Sequence, residues 1–171
     1  MSARAHHLES ERAKLVLRVG TELSMYTWRN LDIVIWEATP TLQGAREMSR
    51  ILPELTRGGR ESRSSVHVLT ERGGFPSDEV RAEWEAFVKN TQRSRACIAV
   101  VLEMEGFRAS AIKALATGLL VLSAQHRQSR VFSTLHEAAR WLPAPHEERT
   151  GTRLDPGDLL RVLQELRARH P

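Results

Sequence analysis

The sequence predicts an α/β fold: a single mixed, mostly parallel sheet of about five strands flanked by helices, with an extra helix at the C-terminus. Three observations carry this. Strand-like runs alternate with helical patterns along most of the chain, as in a sheet covered by helices. The run Ala96-Cys97-Ile98-Ala99-Val100-Val101-Leu102 is continuously apolar over the length of one strand, as expected where both faces of a sheet are covered. Helix-start signals, Ser77-Asp78-Glu79 and Thr134-Leu135-His136-Glu137, each follow a strand-like segment.

Taken in order, residues 1–13 are polar and aperiodic and read as a flexible N-terminal segment. Residues 14–19 alternate only weakly. Residues 22–28 and 31–36 are β-prone runs separated by Arg29-Asn30 and read as an antiparallel hairpin. Within the second, Ile33 and Ile35 fall on one face and Val34 and Trp36 on the other, so both faces are expected to be covered. Thr39-Pro40 opens a helix, because proline at the first helical position lacks only a donor that would be unpaired there. Ala45, Met48, Leu52 and Leu55 form its apolar stripe, and Pro53 is expected to bend or end the last turn. Gly58-Gly59 closes the segment, residues 65–70 resume as a strand, and Gly73-Gly74-Phe75-Pro76 make a turn.

Ser77 reads as an N-cap with acids in the first turn, leading to a stripe of Val80, Trp84, Phe87 and Val88. Residues 96–102 are expected at the centre of the sheet. Residues 107–124 place Ile112, Leu115, Leu119 and Leu122 at helical spacing, and this helix reads as the main core helix; burial of each such side chain contributes about 1.5–3 kcal/mol before entropy. Residues 130–133 form a short last strand. The capping box Thr134 to Glu137 then opens a helix with Ala138, Ala139, Trp141 and Leu142 inward, ended by Pro143. Residues 143–154, rich in proline and polar side chains, read as a linker. Residues 155–171 read as a C-terminal helix with Leu159, Val162, Leu163 and Leu166 on its apolar side. The expected organisation is therefore an α/β domain over residues 14–142, the linker, and the terminal helix.

A chain of 171 residues with 41% hydrophobic content is long enough to bury one continuous core. The net charge is +4, and the high pI of 10.0 reflects arginine, since lysine occurs only at Lys14, Lys89 and Lys113. With an aromatic content of 5% and no RNP-like run, nucleic acid is not favoured as a partner. The most apolar stretch, residues 109–124, is interrupted by Ser110, Lys113, Thr117 and Ser123, so no membrane span is expected. The N-terminal residues lack the apolar centre of a secretory signal. The single cysteine, Cys97, cannot form an intrachain disulfide and reads as a buried small hydrophobe. Together these point to a cytoplasmic protein.

The element order, and the motif Arg130-Val131-Phe132-Ser133-Thr134-Leu135-His136-Glu137-Ala138-Ala139-Arg140-Trp141-Leu142 in particular, resembles the SpoIIAA-like or STAS-like (sulfate transporter and anti-sigma factor antagonist) proteins. The resemblance covers residues 22–142. It implies a mostly non-enzymatic module: the antagonists bind partner proteins, and related modules bind nucleotides or lipids. In the antagonists a phosphorylatable serine opens a helix after a strand, within an Asp-Ser-Ser/Thr-Gly motif. Its positional counterpart is Ser77, here in Phe75-Pro76-Ser77-Asp78-Glu79, without the glycine and with acids added.

Ser77 is thus the candidate phosphosite, since added negative charge is favourable at a helix N-terminus, although capping alone also accounts for a serine there. Glu103 and Glu105 follow the apolar strand on one side of it, near where open α/β sheets place ligands; the alternative is a solvated strand end. No histidine, cysteine or aspartate adjoins them to complete a site. His67 alternates with Val66 and Val68 and is expected on a more polar face. His6-His7, His126, His136 and His146 share no ligand spacing, so no metal site is expected. Gly73-Gly74 lacks the phosphate-cradling glycine patterns, so no cofactor is expected either. Of Trp28, Trp36, Trp84 and Trp141, most read as core.

With no catalytic constellation, the expected function is a non-enzymatic protein-interaction or regulatory module with an unknown protein partner. Asp78, Glu79, Glu103, Glu105 and Arg108 are its candidate contacts. The alternative is a small-ligand (nucleotide or lipid) binding protein or enzyme using the strand ends near Gly73, Glu103 and Glu105. A homodimer through the apolar stripe of the C-terminal helix is a further expectation.

Overall fold

A computed structural model describes residues 12–57, 63–91, 95–121 and 128–169, with the side chains of Thr56, Arg57 and Arg108 outside that description. The weakly alternating segment is a strand, β1 (Lys14–Val19), and it pairs antiparallel with β2 (Leu23–Trp28). β2 pairs antiparallel with β3 (Leu31–Trp36), Leu23 opposite Trp36 and Trp28 opposite Leu31, so the hairpin turn is Arg29-Asn30 as expected. So short a link requires a left-handed residue. Arg29 takes that conformation, at φ 51°, with its guanidinium 4.7 Å from the centre of the Trp28 ring.

β4 (Arg63–Leu69), β5 (Arg95–Leu102) and β6 (Gln128–Phe132) follow in parallel from β3, giving one six-stranded mixed sheet in the order β1-β2-β3-β4-β5-β6. The fold is α/β, with six strands where about five were expected. Every residue of β5 is buried, as its apolar run requires, but the strand lies second from the edge and not at the centre.

Three helices cross between parallel strands: α1 (Leu42–Arg57), α2 (Asp78–Thr91) and α3 (Gly106–Val121). With strands added in ascending order, crossovers of one hand put all three on the same face. That face is Leu23, Met25, Val34, Trp36, Leu69, Ile98, Val100 and Leu102, packed against Met48, Leu52, Phe87, Val88, Ile112 and Leu120. α1 begins at Leu42, two residues after Pro40, because Thr41 is the cap: its Oγ1 accepts from Gly44 N at 3.2 Å. Glu22 fixes that cap from β2's side, accepting from Thr41 N at 2.6 Å and from Thr41 Oγ1 at 2.7 Å. Pro53 lies within α1, which continues past it to Arg57. α3 departs from expectation: Ile112 and Leu120 are buried, Leu115 and Leu119 only half-buried, and Leu122 lies outside the described residues. It is a partial cover and not the main core helix, because its apolar side chains are spread around its circumference.

The opposite face, Ile33, Ile35, Val66, Val68, Cys97, Ala99, Val101 and Phe132, is covered by the chain after β6. α4 (Leu135–Trp141) opens with the expected box: Thr134 Oγ1 accepts from Glu137 N at 3.2 Å, while Glu137 reaches back to Ser133 N at 3.0 Å. The stretch read as a linker contains a helix, α5 (Pro143–Thr150), with Pro143 in its first turn and Pro143, Pro145 and His146 buried. Proline ends α4 and, at the first position of the next helix, is tolerated because it removes no hydrogen bond. Gly151 stops α5 in a left-handed conformation, and the loop after it is tied to the hairpin turn, Asn30 Nδ2 donating to Thr152 Oγ1 at 2.9 Å. α6 (Pro156–Ala168) is capped by Asp155, which accepts from Gly157 N and Asp158 N. Leu159, Val162, Leu163 and Leu166 are buried against the chain's own sheet. The stripe assigned to a homodimer interface is therefore already occupied within the monomer. No helix among the described residues is long and apolar enough to cross a membrane.

At the amino ends of β3, β4 and β5 sits a buried ionic cluster. Asp32 is fully buried and pairs with Arg95 and with Arg63, the latter at 2.6 Å. Arg95 also donates to Leu52 O at 2.7 Å and to Ser65 Oγ at 3.2 Å, fastening α1 to the sheet. Removing one member of a buried pair strands the other's charge. Asp32→Ala is therefore expected to cost about 3–5 kcal/mol in urea unfolding; a loss below about 1 kcal/mol would contradict the role given to this cluster.

Candidate functional site

β3, β4 and β5 end together, and the ladder runs on into the loops that follow: Thr70 N donates to Trp36 O at 3.1 Å and Glu103 N to Leu69 O at 2.9 Å. The β4–α2 loop turns tightly, with Gly73 N donating to Thr70 O at 2.9 Å. A Cβ on Gly73 would stand 3.1 Å from Thr70 O and 3.8 Å from Met104 Cε, so this loop abuts the β5–α3 loop. Ser77 is exposed and caps α2, its Oγ accepting from Val80 N at 3.3 Å. Asp78 and Glu79 are exposed in the first turn, and Asp78 pairs with Arg81. Beside them Phe75 is 48% exposed, and Phe107, in the first turn of α3 after the neighbouring loop, is 90% exposed. Sequence reasoning missed both phenylalanines as surface residues; a phenylalanine between Gly-Gly and Pro was the available signal.

The carboxylates do not act as a pair. Glu103 is held by Arg167 of α6 at 2.5 Å, whereas Glu105 is exposed on the loop. Arg108 belongs to α3, with its side chain outside the described residues, as are His6, His7 and His126. No group of three metal-ligating side chains occurs among the described residues.

A nucleophile-like triplet lies elsewhere, inside the core. Ser64 Oγ stands 2.8 Å from His146 Nδ1 and 3.0 Å from Cys97 Sγ, all three residues buried. His146 Nε2 is buried without a partner among the described residues. A bare lone pair costs less than an orphaned N–H, which favours the proton on Nδ1, donated to Ser64, with Ser64 donating in turn to Cys97. Burial, opposed by the Ser64 hydrogen bond, pushes the Cys97 thiol up to about 11, and burial, reinforced by the Arg63 charge, pushes His146 down to about 4. Nucleophilic catalysis needs a lowered thiol and a basic imidazole, so the triplet locks α5 to β4 and β5. These residues are 33 and 82 positions apart, and nothing in their local sequence announces the contact.

A third feature is an apolar cavity of about 80 Å³ between the sheet and helices α2 and α3. Trp36, Leu69, Trp84, Phe87, Ile112 and Ala116 are among its walls, and Trp84 meets Trp36 edge-on at 5.6 Å. His67, expected on a polar face, also lines it, because both faces of β4 are covered.

No protein-family model matches the chain, and neither a curated protein nor a solved structure matches it.

For His146 the sign is set by a folded value below the unfolded one. The unfolded chain takes up a proton that the native chain refuses, so stability is full above pH 6.5 and falls as pH drops toward 4. The contribution at stake is up to about 3 kcal/mol. Urea unfolding at pH 7 and pH 5 is expected to show a smaller pH dependence for His146→Asn than for the natural chain; identical dependences would refute it.

Proposed function

We propose that the chain is a non-enzymatic protein-association module that docks its partner at the carboxyl edge of the sheet, through the abutting β4–α2 and β5–α3 loops. The observation that carries this is the pair of phenylalanines there, Phe75 at 48% and Phe107 at 90% exposure, large apolar groups whose burial a partner would reward. The charge around them is mixed, Glu79 and Glu105 exposed while Asp78 pairs with Arg81, whose guanidinium lies 6.0 Å from the centre of the Phe75 ring, which favours a partner face that is apolar at its centre and polar around it. The element order and the motif of residues 130–142 support a STAS-like reading, and Ser77, exposed at the first turn of α2, is the position through which phosphorylation would change the rim. A cytoplasmic setting fits the single buried thiol.

Pull-down from native lysate with the natural chain, Phe75→Ser and Phe107→Ser tests the reading. The expected result is a stoichiometric partner held by the natural chain and reduced at least about tenfold by either substitution, with Tm unchanged. Equal recovery by all three chains, or turnover of a metabolite by the pure protein, would refute it.

A further inference from the structure

We propose that the outer edge of β6 is a docking groove for an extended protein segment in which acidic and apolar residues alternate. The inference is independent of the association at the carboxyl-edge loops and concerns a different surface. Its first support is charge gathered from three elements. Lys113 of α3, Arg130 of β6 and His136 and Arg140 of α4 line one open depression of about 450 Å³, and all four are exposed. None of the four side chains is held in an ion pair or a hydrogen bond among the described residues. The one acid on the wall, Glu137, is engaged with Ser133 N at 3.0 Å. Three fixed positive charges thus face a single carboxylate. An exposed ion pair is worth little alone, so three cations spread along one strand favour a segment bringing several carboxylates over a single small anion.

The second support is the backbone. Among the described residues β6 pairs only with β5, so every second N–H and C=O along it points away from the sheet. The two rims of the sheet differ. Pairing of β1 is interrupted by a bulge between Leu15 and Leu17, whereas β6 keeps unbroken register from Gln128 to Phe132. A regular edge of five residues, about 17 Å long, is a template for one added strand. A cation on a rim strand deters pairing with uncharged and basic strands, so Arg130 selects an acidic segment and rejects the others.

The third support is that the two walls of the groove differ in chemistry. Phe132 belongs to the face covered by α4, α5 and α6, and Arg130, two residues before it, lies on the same side, its guanidinium 5.5 Å from the centre of the Phe132 ring. Val131 packs toward the other face, where a second depression of about 300 Å³ continues the groove on the α3 side and shares Lys113, Arg130 and Val131 with the first. Leu120 and Val121 are among its walls, Val121 being 65% exposed. Side chains of an added strand alternate between these walls, acids toward Arg130 and Arg140 and apolar groups toward Val121 and Val131. The basic stretch ends at Gln128, whose side-chain amide donates to Glu148 at 3.2 Å.

The test uses the full chain labelled with ¹⁵N and, as probe, a capped peptide of about six residues that alternates glutamate and valine. Saturable one-to-one shifts of the β6 amides are expected, with Kd on the order of 10–100 µM at low salt. Binding is expected to weaken at least about fivefold in about 0.5 M NaCl. The same residues in block order, glutamates then valines, and a lysine–valine counterpart are each expected to bind at least about tenfold more weakly. Of two peptides N-methylated on alternate residues, one in each phase, the one blocked along the edge that meets β6 is expected to lose binding. Lys113→Glu and Arg140→Glu, both exposed and outside the sheet, are each expected to weaken the probe about tenfold with Tm unchanged. Binding indifferent to residue order, binding kept by both methylated peptides, inorganic phosphate bound at the same residues as tightly as the probe, or binding undiminished in the charge-reversed variants would each overturn the proposal. A dimer of the chain alone in light scattering, dispersed by Arg130→Glu, would assign this edge to a second copy and overturn it as well.

Discussion

The order in which strands join this sheet dictates the rest of the architecture. From β3 to β6 each strand is added beside the last, and crossovers of one hand then place α1, α2 and α3 on a single face. The strands are apolar on both sides, with Ile33, Ile35, Val66, Val68, Ala99 and Val101 on the face those helices cannot reach. Among the described residues the chain after β6 covers it, with Ala13 beside it. α4, α5 and α6 are therefore half of the fold and not an appendage. α6, at 13 residues, would be marginal alone in water; burial of Leu159, Val162, Leu163 and Leu166 supplies about 6–12 kcal/mol before entropy.

The two faces are sealed by different means. On the α4–α6 side the apolar packing is reinforced by polar ties: Ser64 to His146 and Cys97, Asn30 to Thr152, and Glu103 to Arg167. Each joins the C-terminal helices or the loops between them to a strand or a strand end. On the α1–α3 side the tie is the Asp32, Arg63 and Arg95 cluster at the amino end, and toward α3 the packing leaves a cavity. The groups that resemble catalytic machinery are used as clamps on the first side. The carboxyl edge carries the exposed Phe75 and Phe107.

What the residues disclose in advance is what local physics controls. The hairpin about Arg29-Asn30, the Ser77 cap, the Thr134 and Glu137 box and the double burial of residues 96–102 each depend on a few neighbouring side chains, and each is present. β1 was obscured because a strand at the sheet's rim buries little and so alternates weakly. α5 was hidden by its prolines, which read as linker composition although Pro143 stands where a helix tolerates it. The start of α1 depends on Glu22, a residue from another element, and His67's surroundings depend on which helices cover β4. The functional reading met the same limit. Ser77, Asp78, Glu79 and Glu105 are exposed, but Glu103 is bound by a helix that the resemblance, ending at Leu142, left out.

The direct measurement is the unfolding of a chain ending at Leu154. With α6 removed, one face of the sheet loses the cover supplied by Leu159, Val162, Leu163 and Leu166. This account predicts that the shortened chain shows no cooperative thermal transition and exposes apolar surface to a hydrophobic dye. A monomer that unfolds cooperatively, with the Tm of the full chain, would contradict it.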